Sequence, residues 1–223
     1  MAMVARSPSG ETSVPRAGRY AAGVSLPWRE VFRDRWLLVV DKPSGLPVQP
    51  DREGRDNLYD LLAARERYVG LHHRLDTPAS GLLVLALDRR ANAGLARAFA
   101  ERTAERGYLV AVVGDPGPSG RWSTPLDGRS AGTRFERLAT SRRMSVLRCW
   151  LETGRTHQIR RHAAEAGHPV LGDRRHGGAA GRAWKRLALH ATDLALTHPV
   201  TGSLIAFEAP PPDDLAPLLA RAT

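Results

Sequence analysis

One cysteine, Cys149, and two lysines, Lys42 and Lys185, are all that 223 residues contain of those two types. A single thiol closes no intramolecular disulfide and gives no cysteine cluster for structural zinc, which excludes disulfide-stapled and zinc-ribbon classes. Cys149 reads as a small buried apolar residue, and such cysteine usage fits a reducing, cytoplasmic compartment. No apolar run approaches the roughly 20 residues that a bilayer-spanning helix needs. Met1 to Gly10 lack the continuous apolar stretch of a secretory signal. Neither a Walker loop nor a G-x-G-x-x-G fingerprint occurs, so no nucleotide cofactor is expected. Histidines 157, 162, 168, 176, 190 and 198 do not fall at metal-helix spacing, and no metal is expected.

What the chain does have is arginine. Lys plus Arg number 33 against 23 Asp plus Glu, a formal net charge of +10 at pH 7. The basic residues are spread along the chain, which argues for a charged folded surface rather than a tail. Such an excess attracts polyanions with an affinity that falls as salt rises, so nucleic acid is the natural partner. An acidic membrane surface would require a basic amphipathic helix, and none is visible. With 42% hydrophobic and 25% charged residues, the chain is long enough and apolar enough for one ample core.

Residues 1–25 are Gly-, Pro-, Ser- and Arg-rich without periodicity and read as a flexible leader. Residues 26–212 read as one domain, closed by Pro210-Pro211-Pro212, and 213–223 as a tail. Short buried strands are expected at 36–40, 82–87, 108–113 and 146–151. Asn57 should cap a helix carrying Leu58, Leu61 and Leu62 to about Tyr68, and a second helix is expected from Ala91 to Glu105. Residues 117–145, broken by Gly, Pro and Arg, should form short strands with loops. Thr156 is a candidate N-cap for a helix through Ala166 that Gly167 closes. Segments 187–196 and 203–207 should pair as closing strands. Strands outnumber helices without strict alternation, so the expected class is α+β with a largely antiparallel sheet.

Two stretches carry the chemistry. The run His73-Arg74-Leu75-Asp76-Thr77-Pro78-Ala79-Ser80-Gly81 puts one carboxylate in a turn immediately before an apolar strand. A loop held by a rigid strand can position a reactive side chain and keep it reachable. Asp76 could equally do no more than cap the turn. The second stretch is Thr153-Gly154-Arg155-Thr156-His157-Gln158-Ile159-Arg160. Arginines at a helix start oppose its partial positive charge, which makes sense if a phosphate or a carboxylate is held nearby. His157 and Arg160, three apart, are expected on one face. Merely solvated charges are the alternative. His73, beside His72, reads as a residue that orients backbone, and Asp173 as a structural Gly-Asp turn.

Together these stretches resemble the RluA family of RNA pseudouridine synthases. The matching segments are Asp41–Val48, His73–Gly81, Arg106-Gly107-Tyr108, Gly154–Arg160, Gly167–Asp173 and Leu189-His190-Ala191, in family order from about Trp36 to Phe207. The resemblance implies a pseudouridine synthase-like α+β fold and isomerisation of uridine in tRNA or rRNA without any cofactor. It makes Asp76 the catalytic carboxylate, acting as nucleophile on the ribose or as the base that removes a ribose proton. It further makes Arg160 the cation that keeps Asp76 ionised, and Tyr108 the ring against the uracil. Arg74 would fill the space left by a flipped nucleotide, with Arg155 and His157 holding RNA phosphates or the site's backbone.

The chain departs from the family pattern at Arg106 for a common Lys, His176-Gly177 for Tyr-Gly, and Gln49 for His, which touches substrate contacts more than the reaction. Too little chain precedes Trp36 for the S4-type RNA-binding module of many members, so a stand-alone, monomeric catalytic domain is expected. The competing reading is a non-catalytic RNA-binding or ribosome-assembly protein on the same scaffold.

Overall fold

A computed structural model of the chain describes residues 26–182 and 184–218; the 1–25 leader lies outside them. In chain order the elements are β1 (Arg29–Arg33), β2 (Leu37–Lys42), α1 (Leu58–Ala63), β3 (Gly70–Leu71), β4 (Ser80–Ala86), α2 (Arg89–Ala100) and β5 (Glu105–Val113). There follow β6 (Ser119–Trp122), β7 (Thr133–Thr140), β8 (Met144–Leu151), α3 (Gln158–Glu165), α4 (Gly178–Gly181), β9 (Leu189–Thr197) and β10 (Leu204–Glu208). The class is α+β, with antiparallel pairing in each ladder described below.

The chain divides into two compact units. The first holds the described residues up to Glu105 together with Asp193–Ala209; the second holds Arg106–Thr192 and the described residues from Pro210 onward. This differs from the single domain over 26–212 and separate tail from 213 that the sequence suggests. Leu215 and Leu218 of that tail are buried and share an apolar wall with Leu109, Ala111, Val146 and Ala188 of the second unit.

In the first unit, β2 lies between β1 and β4, and β3 adds a short rung on β4. The last residues of β9 pair with β10, as the closing-strand pattern implies. β4 is buried along its whole length, which is why Leu82–Leu87 reads as a continuous apolar run rather than an alternation. Leu37, Val39, Leu82, Val84, Ala91, Leu95, Leu194 and Leu196 form its core.

Two helices are shorter than their sequence signals. Asn57 does cap α1, its side-chain oxygen accepting the Asp60 N–H at 3.0 Å. The helix stops at Ala63, not Tyr68, because only Leu58 and Leu62 are buried on it; no apolar stripe continues beyond Leu62. α2 starts at Arg89 under the cap of Asp88 and ends at Ala100, five residues before the expected Glu105. Arg102 takes a left-handed φ of 63°, which stops the helix and turns the chain toward β5.

In the second unit the strand order is β5-β8-β7-β6. The expected short strands of 117–145 include an eight-residue strand, β7, whose exposed positions alternate with buried ones in its first half and with half-buried ones in its second. β1, β3 and α4 have no clear sequence signal: β1 is a charged edge strand, and the other two are one turn or less.

Candidate active site

Asp76 sits half-buried in the turn that leads into β4. That turn is tied to the Asp41–Pro47 segment from several sides. Lys42, with no exposed surface, brings its Nζ within 2.9 Å of Pro43 O, 2.9 Å of Leu46 O, 3.3 Å of Thr77 O and 2.7 Å of Ala79 O. Ser44 donates its hydroxyl to Pro78 O at 2.7 Å, and the Gly45 N–H donates to Thr77 O at 2.8 Å. A buried ammonium survives because carbonyl dipoles replace its hydration. The breaker-rich Asp41–Pro47 turn is therefore the cradle of the Asp76 loop. Arg74, two residues before Asp76, is exposed. His73 accepts the Val84 N–H at 3.0 Å through Nε2, the backbone-orienting role its position suggests.

The second unit carries Tyr108, Arg155, His157 and Arg160. Tyr108 is 5% exposed on β5, opposite Cys149 of β8. Cys149 itself is free and fully buried, and burial pushes its thiol up. Arg160 is buried on α3 and grips Asp173 in a fork, Nε to Oδ2 and Nη2 to Oδ1, both at 2.8 Å. Asp173 also accepts the N–H groups of Arg175 and His176 at 3.0 Å each. Burial pushes the Asp173 carboxyl up, but the hydrogen bonds from Arg160 and His176, with the guanidinium charge, outweigh it and hold the group below the usual carboxylate range.

The anion called for by arginines at a helix start is thus, in part, internal. Sequence reasoning set Asp173 aside as a structural turn and so missed this partner. Gly172 shows why the turn is built as it is: at φ +75° a Cβ there would lie 1.7 Å from Arg186 O. Only glycine lets the two backbones approach so closely and deliver Asp173 to α3.

The start of α3 departs from expectation. His157, not Thr156, occupies the N-cap position, in a left-handed conformation (φ 53°, ψ 31°) and without a side-chain cap bond. Gln158 organises the turn instead. Its Oε1 accepts from the Arg155 N–H at 3.1 Å and from the Thr153 hydroxyl, and its Nε2 donates to Gly132 O at 2.8 Å. Because His157 lies outside the helix, it does not share a helical face with Arg160. Its Nδ1 is 2.9 Å from Nε2 of His176. Burial and the Arg160 charge hold the His176 imidazole below its ordinary pKa. Arg155 is half-buried and donates from Nε to Ser130 O at 3.2 Å, a hold on backbone. Gly167, at φ +83°, ends α3 as expected. Among the described residues, no group of three or more His, Cys, Asp or Glu side chains is arranged to hold a metal.

Residues 36–165 match the family model for RNA pseudouridylate synthase. The chain is 35% identical, over 87% of its length, to ribosomal large subunit pseudouridine synthase D of Nitrosomonas europaea, and 35% identical over 90% to the protein of the same name from Xanthomonas campestris pv. campestris. It spans 65% and 71% of the length of those two relatives. A solved structure of human RNA Pseudouridylate Synthase Domain Containing 4 superposes with a TM-score of 0.74, covering 87% of this chain and 92% of that one at 22% identity, a likeness of fold alone. The chain belongs to the RNA pseudouridylate synthase family, the enzymes that isomerise uridine in RNA to pseudouridine. The match includes the segments holding Asp76, Tyr108 and Arg160.

Proposed function

We propose that this chain isomerises uridine in ribosomal RNA of the large subunit, with Asp76 as the reacting carboxylate. The observation that carries the reading is the family match across 36–165, which contains the His73–Gly81 run, joined to the naming of its relatives for large-subunit ribosomal RNA. The N1–C1′ bond breaks and a C5–C1′ bond forms; C5 loses its proton and N1 gains one, so no oxidant or reductant is consumed. Asp76 acts on the ribose, either as nucleophile or as the base that removes a ribose proton.

Arg160 is the cation expected to keep Asp76 ionised. Tyr108, held in β5, offers the ring for the uracil. The target uridine must leave its stack, at a cost of a few kcal/mol, and Arg74 is the exposed side chain suited to fill the gap. Arg155 and His157 serve backbone and phosphate positioning. A monomer acting in the cytoplasm is the corresponding assembly. No helix among the described residues is long and apolar enough to cross a membrane.

Incubation of the protein with large-subunit ribosomal RNA and with bulk tRNA, followed by nuclease digestion and chromatography, tests the assignment. Pseudouridine should accumulate in the ribosomal RNA. Product confined to tRNA would replace the substrate; none in either, from folded protein, would favour the non-catalytic RNA-binding reading.

A further inference from the structure

In the second unit, Arg174, Arg182, Trp184 and Lys185 line an open cleft of about 630 Å³. Many of the chain's other arginines are tied to carboxylates: Arg121 to Glu152, Arg137 to Asp115, Arg161 to Asp127 and Arg186 to Asp214. Between Arg174 and Thr192 the sequence contains no Asp or Glu, and Asp173, one residue before Arg174, is engaged by Arg160. Among the described residues, Arg174, Arg182 and Lys185 have no acidic partner, and all three are exposed. Trp184, half-buried, supplies an aromatic wall between them.

We propose that this cleft binds a single-stranded nucleotide of the RNA substrate, its phosphates on Arg174, Arg182 and Lys185 and its base on the Trp184 ring. The inference rests on the reading of the chain as an RNA-modifying enzyme and adds a point of RNA attachment apart from Asp76. Cations without acidic partners around a flat aromatic surface are the combination that holds single strands: charge tracks the backbone, and every base has a face to stack. Lysine is scarce in this chain, and Lys185 is one of two; the other, Lys42, is buried among carbonyls. An acidic peptide would use the charges but gain no base-stacking from Trp184.

The test is equilibrium binding of a short oligouridylate by full-length protein carrying Asp76→Asn, so that no substrate is consumed, across a range of salt. Removing Arg174 and Lys185 together (Arg174→Ala, Lys185→Ala) should lower the slope of log affinity against log salt by about 0.7 for each phosphate that is no longer neutralised. Because both are exposed, the fold should survive. Trp184→Leu should weaken binding about 5- to 150-fold, with Trp184→Phe recovering part of the loss. Arg52→Ala, an exposed control in the first unit, should change neither slope nor Trp184 dependence.

Unchanged slope and affinity in the Arg174/Lys185 double variant would overturn the proposal, as would a polyglutamate of equal charge competing as well as the oligonucleotide. Failure here with pseudouridine still formed by the unaltered protein removes only the cleft. Loss of oligonucleotide binding in these cleft variants, in a protein that forms no pseudouridine, leaves the cleft standing and removes the catalytic reading.

Discussion

At the scale of single residues, the decisive pair is Arg160 and Asp173. Both are buried, and their two bonds at 2.8 Å have the bidentate form in which guanidinium and carboxylate interact most strongly. Removing one partner strands the other's charge, which typically costs about 3–5 kcal/mol. Asp173→Ala should therefore lower unfolding free energy by about that amount in urea titrations; a loss below about 1 kcal/mol would show the pair to be incidental. Because the folded Asp173 carboxyl titrates below its unfolded value, its stabilisation is complete above the ordinary aspartate pKa of about 3.9. It is lost as pH falls through the lower folded value.

The neighbouring His176 acts at a higher pH. In its pairing with His157, one imidazole must donate an N–H and the other accept it, so the contact at 2.9 Å needs at least one neutral ring. His176 is held below its ordinary pKa by burial and by Arg160. Its contribution is full above about pH 6.5 and falls away as acid drives the ring through its lower folded pKa. A melting-temperature series from pH 8 to pH 5 should decline over that window, and His176→Gln should flatten the decline. An unaltered decline in His176→Gln would assign it to other groups.

At the scale of elements, the Asp76 turn depends on a segment some thirty residues away. Lys42→Met keeps the stem volume but leaves the carbonyls of Pro43, Leu46 and Ala79 without this donor, while Thr77 O keeps the Gly45 N–H. Each unsatisfied buried acceptor costs about 1–3 kcal/mol, so the variant should melt earlier. It should also lose kcat at saturating RNA more than KM rises, since the carboxylate is misplaced rather than the RNA released. A stable variant with unchanged kcat would contradict the cradle.

Strands with strong apolar runs, such as β2 and β4, were legible because burial on both faces leaves a direct trace in composition. The caps of α1 and α3 were legible at Asn57 and Gly167, where chemistry and conformation coincide. Hidden were features set by distant partners. Gln158, not Thr156, organises the start of α3 because Gly132 and Thr133 come close in space. Asp173 binds Arg160 across thirteen positions of sequence, and no local pattern records such a meeting. Lys42 was visible only as part of a turn, since nothing in a sequence says that four carbonyls will converge on one ammonium.

At the scale of the molecule, the family fixes the class of reaction and its RNA substrate, and the basic excess is in keeping with a polyanionic partner. Asp76 and Arg74 belong to the first unit, Tyr108 and Arg160 to the second. The account turns on the carboxylate of Asp76, and a paired measurement on wild type and Asp76→Asn tests it most directly: pseudouridine formed per enzyme on large-subunit ribosomal RNA, with RNA affinity recorded in the same samples. Asp76→Asn should lose at least about 10²- to 10⁴-fold in rate, the range attributed to a positioned acid–base group, with affinity nearly intact. An Asp76→Asn protein that forms pseudouridine at the wild-type rate would contradict the account.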